Sequence, residues 1–417
     1  MHTLSKYSFG TGDRFGQEGE AQLKAVQKAQ SELGNPITPV WNKSNREHQI
    51  IGTEPREVRQ EADQATNALQ WDDPYFVDAD HINKETVDDY IDCSDFFTLD
   101  VAEFIGKPCD TETKEQFLKH NESLIGELSI PGIDEAFTVT EEFLSNWADQ
   151  YLKAIDQASV LFAHIRSQTE SENVVYEISI DEVETPQTPI ELFFILKAVA
   201  ERGIKINTIA PKFTGDFYKG VDYVGDIDQF AKEFEQDLLV IEHAVEEYGL
   251  PDDLKLSVHS GSDKFSLYPH INRLVKKHDA GLHLKTAGTT WLEELIGLAA
   301  AGGRSLGLAV SIYRDAYDRL SELTGPYAEV INIDKGELPS PDEVGEWSGE
   351  QYVAALEHDE ENPDYNSSFR QLLHCAYKVA AERGTRFTQA LNEQKEHVAP
   401  RVTQNLFKRH LKPLFID

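Results

Sequence analysis

The chain has 417 residues, and with 40% hydrophobic residues it can bury a large core. Its 74 acidic and 39 basic residues give a formal net charge of −35, which excludes a surface suited to nucleic acid or to anionic membranes. The three cysteines are widely spaced, which predicts a reduced compartment. The sequence shows no apolar leader and no run near the roughly 18 apolar residues of a membrane span, so a cytoplasmic protein is predicted.

Eight short segments, apolar or alternating and ending in polar or glycine-rich turns, are predicted as strands. In chain order they cover 6–13, 37–43, 75–81, 95–102, 174–184, 206–213, 254–262 and 281–289. Helical periodicity fills the gaps between them, most clearly over 18–33, 140–168, 190–203 and 227–249. Eight strands alternating with helices predict a closed parallel (β/α)8 TIM barrel over 1–290, with an insertion at about 107–138.

An open doubly wound sheet is the alternative to a barrel. The stretch "GTGDRFG" after the first strand lacks the G-x-G-x-x-G spacing, which argues against a dinucleotide site. From about residue 291 onward the pattern is mostly helical, interrupted by a polar stretch at 337–350 that is predicted as a loop. Residues 291–417 are therefore expected to form a C-terminal helical extension packed on the barrel.

Polar side chains stand at nearly every predicted strand end, where a barrel of this kind carries its active site. The candidates for substrate binding are Asp13, Arg14, Asn42, Lys212, Ser260, Asp263, Lys264 and Lys285. Four basic residues could form a cationic rim for a carboxylate or for sugar hydroxyls: Arg14, Lys43, Lys212 and Lys264. Lys212 or Lys285 could instead form a Schiff base with a ketone, or simply balance nearby carboxylates.

Alternation directs two histidines into the barrel. In the seventh strand Ser257 and His259 point inward, and in the eighth His283 and Lys285 do so. Neighbouring strands are about 4.8 Å apart, so His259 and His283 could share one metal ion. The third ligand stays open among His81, at the end of the third strand, and Asp181 or Glu182 after the fifth. Such a set suits zinc, manganese, nickel or cobalt.

Two strand-end carboxylates are candidates for proton transfer. Asp80 precedes His81, and Glu182 follows Asp181. Strict alternation turns Glu182 away from the barrel axis, which leaves Asp181 as a rival for its role. Each acid could equally cap a helix or pair with a nearby base.

Several motifs between residue 8 and about 294 together resemble the tagaturonate/fructuronate epimerase family, some members of which are also described as D-tagatose 4-epimerases. They are "SFGTGDRFG", "FVDADHIN", "ISIDEVETPQTP", "FTGDFYKGVDYVGD", "VHSGSDKFSLYP" and "LHLKTAGTTWLEE". The resemblance implies a divalent-metal-dependent isomerase that interconverts D-tagaturonate and D-fructuronate, or D-tagatose and D-fructose. It implies Asp80 and Glu182 as the acid/base pair, and His81, His259 and His283 as metal ligands.

The inverted carbon in such a reaction is β to the ketone, so enolisation does not acidify its C–H bond. Retro-aldol cleavage and re-addition is therefore the expected route, because transient oxidation needs a dinucleotide for which no site is predicted. Two alternatives stay open: a metal-dependent aldolase or aldose–ketose isomerase on the same barrel, and a non-catalytic sugar-binding protein. The expected partner is a small sugar or sugar acid, and the oligomeric state is undetermined.

Overall fold

The structure, a computed structural model, describes residues 4–169, 171, 173–286 and 288–417. Eight parallel strands close into one barrel in chain order. They are β1 Tyr7–Thr11, β2 Ile37–Ser44, β3 Phe76–Ile82, β4 Phe96–Asp100, β5 Val175–Ser179, β6 Thr208–Ala210, β7 Lys255–Val258 and β8 Leu282–Thr286. All eight predicted strands and the (β/α)8 barrel are confirmed. Residue 287, in the turn predicted to end the eighth strand, lies outside the described residues.

The strands alternate between a polar interior and an apolar exterior. Between β1 and β8, Ser8 pairs with His283 and Gly10 with Lys285, and these four point inward. Gly10 leaves room there for its neighbours, because a Cβ would lie only 3.1 Å from the Asn42 Nδ2 and 3.2 Å from the Lys285 Cα. Polar side chains therefore fill the carboxyl-terminal part of the barrel interior, while Val40, Phe76, Phe96 and Val175 form an apolar layer beneath them.

Long helices surround the barrel and bury the outer faces of its strands. In chain order they are α1 Gly19–Leu33, α2 Asn45–Ile51, α3 Pro55–Leu69, α4 Thr111–Asn121, α5 Glu141–Gln168, α6 Pro189–Glu201, α7 Ile227–Tyr248, α8 Tyr268–Lys277 and α9 Thr289–Ala301. Helices α1, α5, α6 and α7 match their predicted ranges within about two residues. Between β4 and α5, the chain forms α4 and a small antiparallel hairpin, Gly126–Leu128 with Phe137–Val139.

The remainder of the chain is helical. It forms α10 Gly303–Asp318, α11 Leu320–Thr324, α12 Pro341–Gly345, α13 Gly349–Leu356, α14 Ser367–Cys375, α15 Tyr377–Glu382, α16 Thr385–Glu393, α17 Lys395–Gln404 and a π-helical segment Asn405–Ile416. Single 3-10 turns lie at Val87–Asp89, Ala102–Phe104, Glu122–Leu124 and Gly325–Tyr327. Over the described ranges, no helix is long and apolar enough to cross a membrane.

The loop prediction for 337–350 was wrong in part. The stretch contains α12 and the start of α13, and serine side chains cap both helices. At α13 the Ser348 hydroxyl accepts from the Gln351 amide, while the Gln351 side chain accepts from the Ser348 amide. These caps supply backbone hydrogen bonds that let short helices form in a polar sequence.

A buried ion pair joins the barrel to the C-terminal helices. Arg370 of α14 donates to Asp263 at 3.1 Å, to the Gly220 carbonyl at 2.5 Å and to the Leu356 carbonyl at 2.7 Å. Both charged side chains are almost fully buried. Because a buried charge without its partner is costly, this pair fixes α14 against the carboxyl ends of the barrel strands.

Candidate active site

A single lysine lies at the centre of the polar barrel interior. The Lys285 Nζ is 2.7 Å from Asp78, 2.8 Å from Asp80 and 3.0 Å from Glu177, and it donates to the Thr98 hydroxyl at 2.6 Å. Burial acts to lower the pKa of this lysine, but the three carboxylates outweigh burial and raise it well above its ordinary value. The ammonium of Lys285 is thus held in three ion pairs, which argues against the Schiff-base role considered from the sequence, since that role needs an unprotonated amine.

The carboxylates around Lys285 differ in their tendency to hold a proton. Burial raises the pKa of Asp78 to about 7, against the attraction of Lys285. For Asp80 and Glu177, burial also acts to raise the pKa, but nearby cations outweigh it and the pKa lies well below the ordinary value. The cluster therefore holds two carboxylates that favour the charged form, Asp80 and Glu177, both in contact with Lys285.

Asp80 also positions His81. The imidazole Nδ1 lies 2.9 Å from the Asp80 Oδ1, and the other ring nitrogen, Nε2, lies 4.0 Å from the Asp181 Oδ1. His81 has a φ of +54°, a left-handed conformation that is uncommon for residues other than glycine and that tends to occur at functional sites. Burial acts to lower its pKa, but Asp80 raises it to about 10.

Glu177 holds His259 in the same way. The Glu177 Oε1 lies 2.8 Å from the His259 Nε2, and the His259 Nδ1 lies 3.2 Å from the Asp181 Oδ1. Burial acts to lower the pKa of His259, while Asp181 and Glu177 raise it to about 9. The rings of His81 and His259 have centroids 5.1 Å apart. Two imidazoles, each fixed by a buried carboxylate, thus turn their second nitrogen toward one aspartate.

His81, Asp181 and His259 fit a metal ion. Each offers one ligand atom, and these atoms all lie within 4.8 Å of one another. The His259 Nδ1 is buried and faces the Asp181 Oδ1 at 3.2 Å, so release of its proton would offer a lone pair to a cation at this point. A carboxylate on the far nitrogen of each ligating histidine is the usual support for a protein metal site. Two imidazoles and one carboxylate suit a divalent transition metal.

His283 lies one row below this group. Strand pairing sets His283 beside Ser257, so that Lys285 rather than His283 follows next to His259. The His283 Nδ1 lies 2.8 Å from the Ser8 hydroxyl oxygen, and burial lowers the pKa of the imidazole to about 3. The inward direction of His283 agrees with the sequence prediction, but the structure does not bring the predicted pair, His259 and His283, onto one ion site.

A cavity of about 450 Å³, within the size range of small-molecule sites, opens beside two of the candidate ligands. Asp181 and His259 line it, and so do three further residues predicted from the sequence, Glu182, Lys212 and Ser260. Glu182 is exposed, and the Lys212 Nζ donates to the carbonyl oxygen of Val183. This cavity is where a substrate can reach the candidate metal group.

Several other predicted binding residues are occupied by structural contacts. The Asp13 carboxylate accepts from four backbone amides in the turn before α1. Arg14 donates to Glu47 at 2.8 Å and to the His374 carbonyl at 3.0 Å. Asn42 is buried in register with Asp78. Arg14 and Asp13 thus order the first strand end.

Asp263 and Lys264, which follow β7, also bind other groups of the protein. Asp263 carries the buried pair with Arg370, and it has a left-handed φ of +63°. The Lys264 Nζ donates to the carbonyl oxygens of Tyr218 and Val221, both at 2.8 Å, and to that of Ser262 at 3.1 Å. These contacts hold the loop after β6 against the barrel.

Glu177 was not predicted as a site residue, although it contacts both His259 and Lys285. The signal was present in "VVYEISID", where Val175, Glu177, Ser179 and Asp181 share the inward face. A charged residue in the middle of an otherwise apolar strand indicates a buried partner of opposite charge. The same alternation selects Asp181 rather than Glu182 for the interior.

A closed parallel barrel with charged strand ends, a candidate metal group and an adjoining cavity defines a (β/α)8-barrel enzyme. The sequence profile of the tagaturonate epimerase family matches residues 1–414. The chain belongs to this family, and it is therefore an epimerase, an isomerase acting on carbohydrates.

Known relatives agree with this assignment. The chain is 27% identical to the tagaturonate/fructuronate epimerase of Thermotoga maritima over 97% of its own length and 80% of the relative. Two glycerol-complexed crystal structures of the fructuronate–tagaturonate epimerase from Cohnella laeviribosi superpose with a TM-score of 0.81. The first is 25% identical, and the match covers 99% of this chain and 82% of the crystal structure's chain. The second is 26% identical, with coverages of 100% and 83%.

Proposed function

We propose that this enzyme interconverts D-tagaturonate and D-fructuronate with the help of a divalent cation held by His81, Asp181 and His259. The family supports the substrate, and one geometric observation supports the cation. That observation is the convergence of the His81 Nε2, the His259 Nδ1 and an Asp181 oxygen beside a cavity, with the far nitrogen of each imidazole already bound to a carboxylate. Asp181 here takes the third-ligand position that the sequence left open.

The proposed reaction is a retro-aldol cleavage followed by an aldol addition. A base takes the proton of the hydroxyl on the carbon β to the ketone, and the oxygen electrons form a C=O bond. The C3–C4 bond breaks, and its electron pair passes to the ketone to give an enediolate and an aldehyde. After the aldehyde turns over, the same carbon–carbon bond forms on its other face, and the new alkoxide takes back a proton.

Glu182 is the proposed base for the hydroxyl proton, because it is exposed to the cavity next to Asp181. Asp80, the other predicted acid/base residue, binds both His81 and Lys285 through Oδ1, which favours a positioning role. A divalent cation bound at the three ligands supplies Lewis-acid stabilisation of negative charge on the substrate oxygens.

The test uses protein stripped with EDTA and then supplied with Mn²⁺, Zn²⁺, Ni²⁺ or Co²⁺. Tagaturonate, fructuronate, tagatose and fructose are each incubated with it, and the products are resolved by chromatography. We expect epimerised uronate only with metal, and loss of metal and activity in Asp181→Asn. Full activity after stripping contradicts the metal proposal. Cleavage products or aldose without epimer favour the aldolase or isomerase alternatives.

Turnover can be followed further by trapping the aldehyde. If the carbon–carbon bond breaks, sodium borohydride added during turnover reduces the three-carbon aldehyde to an alcohol that mass spectrometry detects. Epimerisation without any trapped fragment, but with incorporation of solvent deuterium at the inverted carbon, contradicts the retro-aldol route. The Glu182→Gln variant is expected to lower kcat by about 10²–10⁴-fold while retaining metal, because general-base catalysis contributes about this much.

A further inference from the structure

Three basic side chains line the cavity of this strongly acidic protein: Arg46, Lys212 and Lys219. Acidic residues outnumber basic ones by 74 to 39, so a cation has many potential partners. Among the described residues, nevertheless, no carboxylate oxygen lies within 4.0 Å of the charged nitrogens of these three. Lys212 binds the Val183 carbonyl instead, which leaves Arg46 and Lys219 without a hydrogen-bond acceptor for their side chains among those residues.

Arg46 and Lys219 lie close to the same aromatic ring. The Arg46 Cζ is 5.8 Å from the centre of the Tyr327 ring, and the Lys219 Nζ is 5.7 Å from it. Tyr327 is itself fixed by a hydrogen bond of 2.9 Å between its hydroxyl and that of Tyr377. Both cations therefore lie within cation–π range of one ring, which places them on the same side of the cavity wall that Tyr327 forms.

The backbone beneath Arg46 is rigidly supported. Arg46 lies in the first turn of α2, where Ser44 and Glu47 form a reciprocal capping box. Glu47 in turn accepts from Arg14 at 2.8 Å, and the Arg14 guanidinium stacks 3.9 Å from the centre of the Tyr377 ring. The same chain of contacts therefore fixes both Arg46 and the tyrosine pair that it faces.

Lys219 is held from two sides. Its backbone N–H donates to the Val330 carbonyl at 2.8 Å, which joins the loop after β6 to the segment that carries Tyr327. On the other side, Lys264 donates to the carbonyls of Tyr218 and Val221, the residues that flank this part of the loop. Two cations on ordered backbone thus line a cavity that two of the candidate metal ligands, Asp181 and His259, also line.

We infer that Arg46 and Lys219 bind the carboxylate of a hexuronate substrate. This inference rests on the proposed function and adds the group that distinguishes a uronate from a neutral ketohexose. A guanidinium can bind a carboxylate through two parallel hydrogen bonds, and an ammonium adds a third, so the pair matches an anionic end group in charge and in hydrogen bonding. A neutral sugar presents only a hydroxymethyl group at this position and gains far less from it.

The experiment compares Arg46→Gln and Lys219→Gln with two matched controls. The controls, Arg56→Gln and Lys232→Gln, remove the same charges from exposed residues that do not line the cavity. We expect each cavity variant to raise KM for tagaturonate about tenfold or more, with kcat changed far less and with KM for tagatose nearly unchanged. The control variants are expected to match the wild type with both sugars.

A binding measurement keeps the inference testable where tagatose is not turned over. Calorimetry compares galactonate, an anion without a ketone, with galactitol, its uncharged counterpart. We expect the wild type to prefer galactonate, and Arg46→Gln or Lys219→Gln to lose about tenfold in galactonate affinity without losing galactitol affinity. Equal affinity for the two compounds in the wild type, or an unchanged affinity for galactonate in both variants, overturns the inference.

The outcomes separate this inference from the proposed function. A wild-type protein that epimerises no sugar with any metal refutes the proposed function, whereas galactonate binding still tests the carboxylate site directly. Conversely, normal epimerisation of tagaturonate by both cavity variants refutes the carboxylate site and leaves the epimerase function standing. Thermal unfolding of each variant shows whether a weaker substrate interaction is caused by loss of the fold.

Discussion

Replacing Glu177 with glutamine tests how the barrel prepares His259 for a metal. A carboxylate only accepts hydrogen bonds, so Glu177 keeps the proton of a neutral His259 on Nε2 and leaves Nδ1 free to bind a cation. A glutamine amide can donate to Nε2 instead, which moves the imidazole proton to Nδ1, the nitrogen that faces Asp181. The free imidazole tautomer then becomes the wrong one for metal binding.

The expected magnitude follows from the contacts that remain. Lys285 loses its partner at 3.0 Å but keeps Asp78 at 2.7 Å and Asp80 at 2.8 Å, so the cation stays compensated and the fold should persist. Loss of a carboxylate that supports a ligating histidine typically weakens metal binding about 10–100-fold, or about 1.4–2.7 kcal/mol. Calorimetric titration of EDTA-stripped Glu177→Gln with Mn²⁺ or Zn²⁺ measures this loss.

Asp78→Asn is the matched control. It removes a carboxylate from the same lysine and disturbs the same Thr98 hydroxyl, but Asp78 contacts neither candidate imidazole ligand. Its metal affinity should stay within about threefold of the wild type. Equal losses in the two variants mean that disturbance of the contacts around Lys285, and not the tautomer of His259, controls the affinity. An unchanged affinity in Glu177→Gln refutes the supporting role of Glu177.

Three further results are expected from buried charges. Lys285→Met should lower the free energy of unfolding by about 3–5 kcal/mol at pH 7, since it leaves three carboxylates without their cation. In the variant, these carboxyls lose the cation that counters their burial, so burial and mutual repulsion raise their folded-state pKa values above the unfolded values. Protonation then favours the folded variant, and the loss should shrink toward pH 5; an equal loss at both pH values contradicts this. Metal binding at pH 7 should release up to two protons, because the pKa values of His81 and His259 are raised to about 10 and 9 in the metal-free protein. Calorimetry in phosphate and in Tris buffer measures the number of protons released. A binding reaction that releases no proton contradicts the ligand assignment. Arg370→Met should cost about 3–5 kcal/mol in chemical denaturation, since Asp263 stays buried without its partner, and a loss below about 1 kcal/mol contradicts this.

The fold was predictable because its signals are local. Alternation within each strand and the polar turn after it locate all eight barrel strands, and helical periodicity locates the long helices between them. Alternation also gives the inward direction of His259, His283 and Lys285. The direction of a side chain depends on its own strand, and the sequence of that strand is sufficient to predict it.

The height of a side chain along the barrel axis cannot be predicted from the sequence of its own strand. Whether His259 lies beside His283 or beside Lys285 depends on the relative shift of β7 and β8, which the closure of the whole barrel determines. Likewise, Asp263 and Arg14 have the composition of binding residues, but their partners lie 107 and 360 positions away. Residues predicted to bind substrate therefore bind other parts of the protein instead. The sequence of one segment does not show which distant residues it will contact.

The contact of α14 with Asp263 also limits how the protein can be divided. A fragment ending near residue 290 would retain the barrel strands, but it would lack Arg370 and expose the apolar surface that the C-terminal helices cover. It would also lack Tyr327, and with it one wall of the cavity. We therefore expect no minimal catalytic fragment shorter than nearly the whole chain. Efforts to transplant this barrel need to carry its helical cover with it.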